Sequence, residues 1–358
     1  MIDRIVISPE IRSNPLAASV SEKLGIKPEY LTKEELIEET KNLEFKESFK
    51  NSKKTLFFTE NKGKMLKKCP GSKGVLCCNY FTINSVSGCP FDCSYCILQH
   101  YIQNNPFISI FVNRDSVIDE LSEFLNNHNH IRVGTGELAD SLALDPLIDE
   151  SGFFLKAIRD NGWENKITFE FKTKSAEVDG LIENYKKYQG LNVVAGFSVN
   201  NEQFNKTDEI DTASIDARLA AAKKCSDAGM RVAIHFDPVI MLDENMLHYM
   251  QLIDKIFGFL DPKSVAWISM GGFRHTLSLG SVIEKRFPQS NLLQGEMFPS
   301  DRDNKLRYLS TIRRRFYKAF KDRIESYIPN PPLYLCMEKY FMWQDTGMEC
   351  RNLPELFS

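Results

Sequence analysis

The chain has 358 residues, of which 42% are apolar, and its formal net charge at pH 7 is −3. A chain of this length and apolar content can bury a large core and can form one barrel-sized domain with extensions. No apolar run approaches the roughly 20 residues that a bilayer span requires, which excludes a membrane-spanning helix.

The start of the chain and its cysteines indicate the compartment. The first residues show no positively charged segment followed by an apolar one, so no signal peptide is expected. Nine cysteines are too few for a disulfide framework in so long a chain, and an odd number cannot all pair. A reducing cytoplasm is therefore the expected location.

Residues 1–78 are predicted to form an N-terminal extension with a lysine-rich loop. Short helices are predicted over residues 13–24 and 32–40, and Thr32 with Glu35 forms a capping box at the start of the second. Residues 55–59 read Thr-Leu-Phe-Phe-Thr and are predicted to form a strand that leads into the lysine-rich loop.

From residue 79 to 275, strand patterns alternate with amphipathic helix patterns, which predicts an α/β fold with a parallel sheet. Strands are predicted over residues 80–86, 131–135, 167–171, 193–199, 232–236 and 265–270, with helices such as 116–125 and 215–225 between them. Six such units fit a partial (βα)6 barrel, since a complete eight-stranded barrel needs about 250 residues. The chemistry is then expected at the mouth, where the strands end.

Residues 276–358 are predicted to form an α-rich C-terminal extension. A basic helix is predicted over residues 302–323, with an apolar face that contains Leu306, Leu309, Ile312, Phe316 and Phe320. Residues 335–343 are apolar and aromatic, and they are predicted to dock back onto the barrel.

The small net charge hides two basic blocks. Residues 41–73 hold ten lysines against three glutamates, and residues 302–323 hold nine Lys or Arg residues against two aspartates. Separated basic blocks in an otherwise acidic protein suggest that DNA or another anionic partner meets one face. The alternative is that each block is a solvated surface segment.

Three cysteines dominate the functional interpretation. Cys89, Cys93 and Cys96 have the spacing C-x3-C-x2-C and follow the predicted strand 80–86. Thiolates so close together can converge on zinc, Cu(I) or an iron–sulfur cluster. A structural zinc site takes four ligands, and His100 or another cysteine would have to complete it. Three thiolates on a 4Fe–4S cluster would leave one iron open for a further ligand.

This motif resembles that of radical S-adenosylmethionine (SAM) enzymes, and its surroundings resemble the spore photoproduct lyase family. The similar segments are Cys89-Pro-Phe-Asp-Cys93-Ser-Tyr-Cys96-Ile-Leu-Gln99, Asn105-Pro106 and Ile110-Phe111-Val112-Asn113. The resemblance implies a partial radical-SAM barrel and a 4Fe–4S cluster on the three cysteines. It also implies SAM on the open iron, which an electron from an external donor cleaves to a 5′-deoxyadenosyl radical. DNA photoproduct repair is the implied reaction.

The resemblance also assigns five residues near the cofactor. Glu137, in Gly134-Thr-Gly-Glu137, resembles the element that holds the SAM amino group, and Lys174 matches a lysine that pairs with the SAM carboxylate. Ser198 and Arg218 match family positions near SAM. Tyr95 matches a tyrosine implicated in hydrogen transfer. The alternatives are surface charges for Lys174 and Arg218, and packing against the cluster for Tyr95.

One position departs from the family pattern. Glu137 stands where the lyase has the cysteine that returns a hydrogen atom to the substrate radical. The O–H bond of a carboxylic acid is too strong to donate a hydrogen atom to a carbon radical. Either another thiol is the donor or the reaction is different. Cys77 and Cys78, with Cys69 beside them, are the candidate donors. The same cysteines can instead ligate a second metal with Cys336 or Cys350, or be structural.

Three functions therefore stay open from the sequence alone. The first is radical chemistry on DNA, with the basic blocks binding phosphates. The second is radical modification of a peptide or small molecule, which Glu137 in place of a thiol favours. The third is a non-enzymatic metal-binding module that holds nucleic acid.

Overall fold

The computed structural model describes residues 2–41, 43–72, 74–102, 105, 107–300 and 303–348. The strands formed by these residues are β1 (Arg4–Ile7), β2 (Glu29–Tyr30), β3 (Thr55–Thr59), β4 (Leu66–Lys68), β5 (Tyr80–Ile83), β6 (Val86–Ser87), β7 (Asp92–Cys93), β8 (Ile108–Phe111), β9 (Ile131–Gly134), β10 (Ile167–Thr173), β11 (Asn192–Ser198), β12 (Glu209–Ile210), β13 (Arg231–Val239), β14 (Val265–Gly272), β15 (Arg274–Thr276), β16 (Met297–Pro299), β17 (Lys305–Tyr308) and β18 (Leu333–Leu335).

The helices of the same residues are α1 (Pro15–Leu24), α2 (Lys33–Thr40), α3 (Phe45–Ser52), α4 (Leu98–Tyr101), α5 (Asp115–Leu125), α6 (Asp145–Ile148), α7 (Glu150–Asp160), α8 (Asp179–Lys187), α9 (Glu202–Asp208), α10 (Ile215–Asp227), α11 (Asn245–Phe259), α12 (Leu277–Arg286), α13 (Ser310–Glu325) and α14 (Tyr340–Asp345). Among the helices just given, none combines the length and the apolar composition of a bilayer span.

The central sheet has eight strands in the order β18-β14-β13-β11-β10-β9-β5-β4. All neighbours in it are parallel except β4, which is antiparallel to β5. The parallel strands succeed one another in chain order, as right-handed crossovers produce, and the sheet curls into a half-barrel. The predicted α/β partial barrel is confirmed, and five of its six predicted strands correspond to β9, β10, β11, β13 and β14.

The prediction of one continuous strand over residues 80–86 is wrong. These residues form β5 in the central sheet and β6 in a second, five-stranded sheet of order β2-β1-β3-β8-β6. The backbone changes partner between them, because Asn84 N–H donates to Met65 O (3.0 Å) and Ser85 O accepts from Phe111 N–H (3.0 Å). The apolar alternation continues through this break, so periodicity alone does not reveal it.

The N-terminal region builds most of the second sheet. α1 and α2 confirm the two predicted helices, and β3 confirms the predicted strand. The capping box also forms, since Glu35 N–H donates to Thr32 Oγ1 (3.2 Å) and Thr32 N–H donates to Glu35 Oε2 (2.8 Å). The central sheet crosses both predicted domain boundaries. β4 pairs with β5 across the boundary at residues 78–79, and β14 pairs with β18 across the boundary at residues 275–276.

The central sheet buries its outer face against helices and keeps polar residues on its inner face. In β10, the rings of Phe169 and Phe171 lie 4.7 Å apart, and Phe169 stacks on Phe154 of α7 at 5.1 Å. Glu170 and Lys172 alternate with them and so point inward. A half-barrel with a charged interior suits a polar cofactor better than an apolar one.

The C-terminal region corrects one helix prediction. Residues 305–308, predicted as helical, form β17, which pairs with β15 and β16 in an antiparallel sheet, and Arg302 lies outside the described residues. The helix begins only at Ser310, and Phe316 and Phe320 are buried on its apolar face as predicted. Cross-strand pairing outweighs the helical pattern here. The docking of residues 335–343 is confirmed by the buried Trp343.

Candidate cofactor site at the mouth of the half-barrel

The cysteine loop, residues 88–99, runs across the C-terminal mouth of the half-barrel. Gly88 begins it at φ +106°, where a Cβ atom would lie 3.0 Å from Ile108 Cα, so only glycine fits. Gly88 N–H donates to Leu138 O (2.8 Å), which fixes the loop to the segment after β9. Within the loop, β7 pairs with β12, and Cys93 lies opposite Glu209.

The three thiols act on one another electrostatically and form no disulfide. Burial, with the charges of Asp140 and Cys96, raises the pKa of Cys89 to about 12. The pKa of Cys93 lies well above its usual value, because burial raises it and the charges of Glu209, Cys96 and Cys89 raise it further. Cys89 and Cys93 would therefore have to lose their protons to bind a metal or a cluster as thiolates.

The geometry argues against a single zinc ion. Among the described residues, no three Cys, His, Asp or Glu side chains converge closely enough to hold one metal ion. His100, the candidate fourth ligand, instead places Nε2 at 3.5 Å from Ser278 Oγ. The described residues thus give no support to a zinc site that His100 completes.

Two cations support the loop from its outer side. Lys53 Nζ donates to Cys89 O (3.1 Å) and Phe91 O (2.5 Å). Arg286 pairs with Asp92 at 2.7 Å and also donates to Gln99 Oε1. These contacts hold the loop at Cys89, Phe91, Asp92 and Gln99.

Glu209 links three of the predicted site residues. It accepts a hydrogen bond from the Tyr95 hydroxyl and pairs with Arg218 at 2.6 Å. Arg218 also donates to Ser198 O (2.8 Å) at the end of β11. Burial alone would raise the pKa of Glu209, but Arg218 and Lys174 outweigh it and lower that pKa. The carboxylate therefore stays ionised beside Cys93.

Arg218 and Ser198 have their contacts within the protein. Arg218 is fully buried, and its guanidinium also meets Thr212 Oγ1 (2.6 Å) and Ala213 O (3.0 Å). This arrangement gives Arg218 a positioning role, because its donors hold Glu209 and the end of β11. Direct contact of Ser198 or Arg218 with SAM stays a prediction.

Lys174 lies next to the cysteine loop as a half-buried cation. Its ammonium is 5.7 Å from the centre of the Tyr95 ring. Burial would lower the pKa of Lys174, but Cys93 and Glu209 outweigh it and the pKa is raised. The lysine is thus not a plain surface charge, and it can attract a carboxylate to the thiol side of the loop.

Glu137 lies at the same mouth. It accepts a hydrogen bond from Thr82 Oγ1 (2.6 Å), and its neighbour Leu138 holds the start of the cysteine loop. Asp140 ties this segment to the end of β10, since it accepts from Thr173 Oγ1 (2.6 Å) and Lys174 N–H (2.6 Å). Glu137 and Lys174 therefore belong to one constellation around the loop.

A second group of thiols, Cys69, Cys77, Cys78 and Cys336, joins the two edges of the central sheet. Cys69 follows the edge strand β4 and Cys336 follows the opposite edge strand β18. Leu76 N–H donates to Glu338 O (2.9 Å), which closes the gap between the edges. The segments that follow the two edge strands therefore meet, and the four cysteines lie in these segments.

This thiol group lies beside Glu137. Burial, then Glu137 and Cys77, raises the pKa of Cys69 to about 11. Burial and Asp237 raise the pKa of Cys336 to about 12. The Cys78 thiol donates to Cys77 and lowers the Cys77 pKa to about 5. No three described members can hold one metal ion, and Cys350 lies outside the described residues.

A buried charged ladder crosses the interior of the half-barrel. Arg132 of β9 pairs with Glu170 of β10 at 2.6 Å, and Glu170 faces His235 of β13 at 2.5 Å. His235 Nδ1 lies 2.6 Å from Ser269 Oγ. Gly196 makes room for the ladder, since a Cβ atom there would lie 2.8 Å from Glu170 Oε1. These residues order the inner face below the mouth.

We expect His235 to make a contribution to stability that is lost as pH falls from 7 to 5. Burial lowers the pKa of His235 to about 4, so the folded state keeps it neutral while the unfolded chain binds a proton near pH 6.5. Between these values the unfolded state binds more protons, and about 2 kcal/mol of stability is lost by pH 5. Urea unfolding of wild type and His235→Gln at both pH values measures the difference. The exposed His248→Gln is the matched control. Equal pH dependence in wild type and His235→Gln contradicts this assignment.

Several functional residues carry no sequence signal. Glu209 lies in a polar stretch between β11 and α10 that resembles any surface loop, although it pairs opposite Cys93. Lys53 and Arg286 are far from the cysteine motif in sequence and meet it only in the fold. Only the cysteine spacing and the strand ends mark the site locally.

The second basic block is largely neutralised within the protein. Arginines of α13 pair with carboxylates of neighbouring segments, as in Arg313–Glu338 at 2.8 Å and Arg323–Asp254 at 2.5 Å. Arg314 and Arg315 pair with Asp345 and Asp243. This pairing favours a structural role for these arginines over a role in binding phosphates.

The curled sheet, with the cysteine loop across its mouth, defines the half-barrel class of radical SAM proteins. The family model for spore photoproduct lyase matches residues 2–336. The chain therefore belongs to the spore photoproduct lyase family, as the cysteine loop and its surroundings predict.

Relatives and solved structures agree with this assignment. The chain is 27% identical over 216 residues to a spore photoproduct lyase of a Geobacillus species, covering 59% of this chain and 62% of that protein. It is 24% identical over 296 residues to the Bacillus subtilis lyase, covering 80% and 83%. The chain thus spans about three-fifths of the length of the Geobacillus relative. A solved spore photoproduct lyase with dinucleoside spore photoproduct has the same fold, with TM-score 0.79, 23% identity and coverage of 94% and 98%.

Proposed function

We propose that this protein is a radical SAM enzyme that uses a 4Fe–4S cluster on Cys89, Cys93 and Cys96. The observation that carries the proposal is the cysteine loop at the mouth, where Cys93 interacts with Cys89, Cys96 and Lys174. When bound, the reduced cluster would supply the electron that cleaves SAM to a 5′-deoxyadenosyl radical. Family membership supports this reaction class.

The residues around the loop have distinct roles in this proposal. Lys174 would bind the SAM carboxylate, because it is a half-buried cation beside Cys93. Glu137 would accept hydrogen bonds from the SAM ammonium with the oxygen that Thr82 does not occupy. Arg218 and Glu209 would keep Tyr95 and the end of β11 in place.

The favoured substrate is a DNA photoproduct. A related lyase has been solved with a dinucleoside spore photoproduct and has the same fold, which supports this choice. Returning a hydrogen atom to the substrate would fall to the thiol group beside Glu137. The pKa directions favour Cys78 over Cys77, because a donor must carry its proton and Cys78 stays protonated.

The second candidate is radical modification of a peptide or small molecule. It is favoured by Glu137, whose carboxyl group cannot donate a hydrogen atom to a carbon radical. The internal ion pairs of α13, which remove much of the second basic block from phosphate binding, support it further.

Anaerobic turnover with a substrate panel tests the proposal. The iron-reconstituted protein is incubated with dithionite, SAM, and either dinucleoside spore photoproduct, damaged duplex DNA or undamaged DNA. We expect photoproduct to be reverted to thymines, with 5′-deoxyadenosine released in all samples. Cleavage of SAM without reversal of any photoproduct would favour the second candidate. No cleavage of SAM at all would reject both.

We expect Glu137→Gln to weaken SAM binding about tenfold or more, because a hydrogen bond to a charged partner is worth about 1.5–3 kcal/mol. Equilibrium dialysis with labelled SAM under anaerobic conditions measures the change. Glu177→Gln is the control, since Glu177 is exposed on the loop after β10 and its carboxylate makes no contact with the cysteine loop. Unchanged affinity in Glu137→Gln would remove Glu137 from the SAM site.

A further inference from the structure

The outer side of the cysteine loop forms the floor of a surface pocket. This pocket has a cavity volume of about 340 Å³ and includes Pro90, the residue after Cys89, and Asp92, the residue before Cys93. Lys53, which also lines it, donates to the carbonyls of Cys89 and Phe91. The pocket is therefore lined by residues directly adjacent to two of the proposed cysteine ligands.

The pocket is lined by four cations, Lys50, Lys53, Lys54 and Arg286, and by two carboxylates, Asp92 and the exposed Asp211, so its net charge is positive. Asp92 is shared by Arg286 at 2.7 Å and Lys53 at 3.8 Å. Lys50 of α3 is exposed, and no carboxylate of the described chain pairs with it. Lys54 has only a loose contact with Asp3 at 3.6 Å, and both of these side chains are exposed to solvent. An acidic partner would find these two lysines free to engage it.

Asp92, which lines the pocket, and Cys93 are successive residues of β7, so their side chains point to opposite faces of that strand. Lys174 approaches the loop from the side of Cys93, and Glu137 lies with it at the mouth of the half-barrel. A substrate has to reach that mouth to meet the chemistry. A partner in the lysine pocket would instead approach the ligands from behind, without blocking the substrate.

We propose that this lysine pocket is the docking surface for the external electron donor, an acidic protein that carries single electrons on a flavin or an iron–sulfur cluster. The inference rests on the proposed function. The donor would lose one electron and the cluster held by Cys89, Cys93 and Cys96 would gain it, with no bond formed or broken. Complementary charge would hold the donor and speed its encounter.

The test compares a protein donor with a small one. SAM cleavage by the iron-reconstituted full chain is measured with a reduced flavodoxin, kept below saturation, and separately with dithionite. The variant is Lys50→Glu with Lys54→Glu. The matched control is Lys166→Glu with Lys263→Glu. Both lysines are exposed and precede β10 and β14, at the N-terminal ends of barrel strands and away from the mouth.

We expect the pocket variant to lower the flavodoxin-driven rate about tenfold at low salt and to remove most of its salt dependence. The dithionite-driven rate should stay within about twofold of wild type, and the control should match wild type with both reductants. Equal rates with flavodoxin would overturn the proposal, as would an equal loss with dithionite. Loss of DNA binding with an unchanged flavodoxin rate would assign the pocket to nucleic acid instead. Failure of the wild type with dithionite would reject the proposed function itself.

Discussion

Replacing Cys93 by Ala is expected to abolish reductive cleavage of SAM and to strip most of the iron from the reconstituted protein. Cys93 is the most buried of the three cysteines in the loop, and it pairs opposite Glu209 in β12. Its thiol also interacts with Cys89, Cys96 and Lys174. Loss of this ligand leaves two thiols, which is too few to hold the cluster. Iron analysis and anaerobic release of 5′-deoxyadenosine measure the effect.

Cys225→Ala provides the control for Cys93→Ala. Cys225 is fully buried in α10, on the helical side of the half-barrel, and it lies outside both thiol groups. This variant should keep wild-type iron content and cleavage. If Cys93→Ala cleaves SAM normally, the assignment of the cluster ligands is wrong.

The second large effect concerns stability. Arg132→Met is expected to destabilise the protein by about 3–5 kcal/mol, because it leaves the carboxylate of Glu170 buried without its main cationic partner. Both side chains are almost fully buried, and their atoms lie 2.6 Å apart. Burial would raise the pKa of Glu170, but Arg132, together with His235 and Lys172, outweighs it and holds that pKa far below its usual value. Urea unfolding at pH 7 measures the loss.

The double variant Arg132→Met with Glu170→Gln separates charge from packing. Removing both charges should restore part of the stability that the single variant loses, since no uncompensated charge stays buried. A single variant that costs less than about 1 kcal/mol would show that water or another group compensates Glu170. A double variant as unstable as the single one would point to packing of Arg132 against Trp267, 4.1 Å from its ring centre.

Much of the half-barrel follows from the sequence because its strands are short apolar runs between amphipathic helices. β9, β10, β11, β13 and β14 appear where periodicity predicts them, to within a few residues. The capping box of Thr32 and Glu35 forms because all of its partners lie within one turn of helix. Local patterns of this kind need no knowledge of the tertiary fold.

The remaining errors arise where distant segments decide the structure. Residues 305–308 have a helical apolar pattern, yet they pair with β15 and β16 and become a strand. The single predicted strand 80–86 divides between two sheets because its backbone changes partners at Asn84 and Ser85. Nothing in the residues themselves encodes either partner.

Some residues of the candidate site are likewise predictable from the sequence, and others are recognisable only in the folded protein. The cysteine spacing is local and marks the ligand loop directly, while Lys174 and Glu137 stand at strand ends, where a barrel places its chemistry. Glu209 is recognisable only once β12 pairs with β7. The convergence of Cys69 and Cys336 likewise depends on the curl of the whole sheet, which brings its two edge strands together.

The central claim is that three thiols of one loop hold a cluster with an iron open to SAM. Electron paramagnetic resonance of the reduced, iron-reconstituted protein tests it most directly, with spectra recorded before and after SAM is added. The account predicts a changed cluster signal at saturating SAM, followed by accumulation of 5′-deoxyadenosine. A reduced cluster whose signal stays the same at saturating SAM, with no 5′-deoxyadenosine formed, would contradict it.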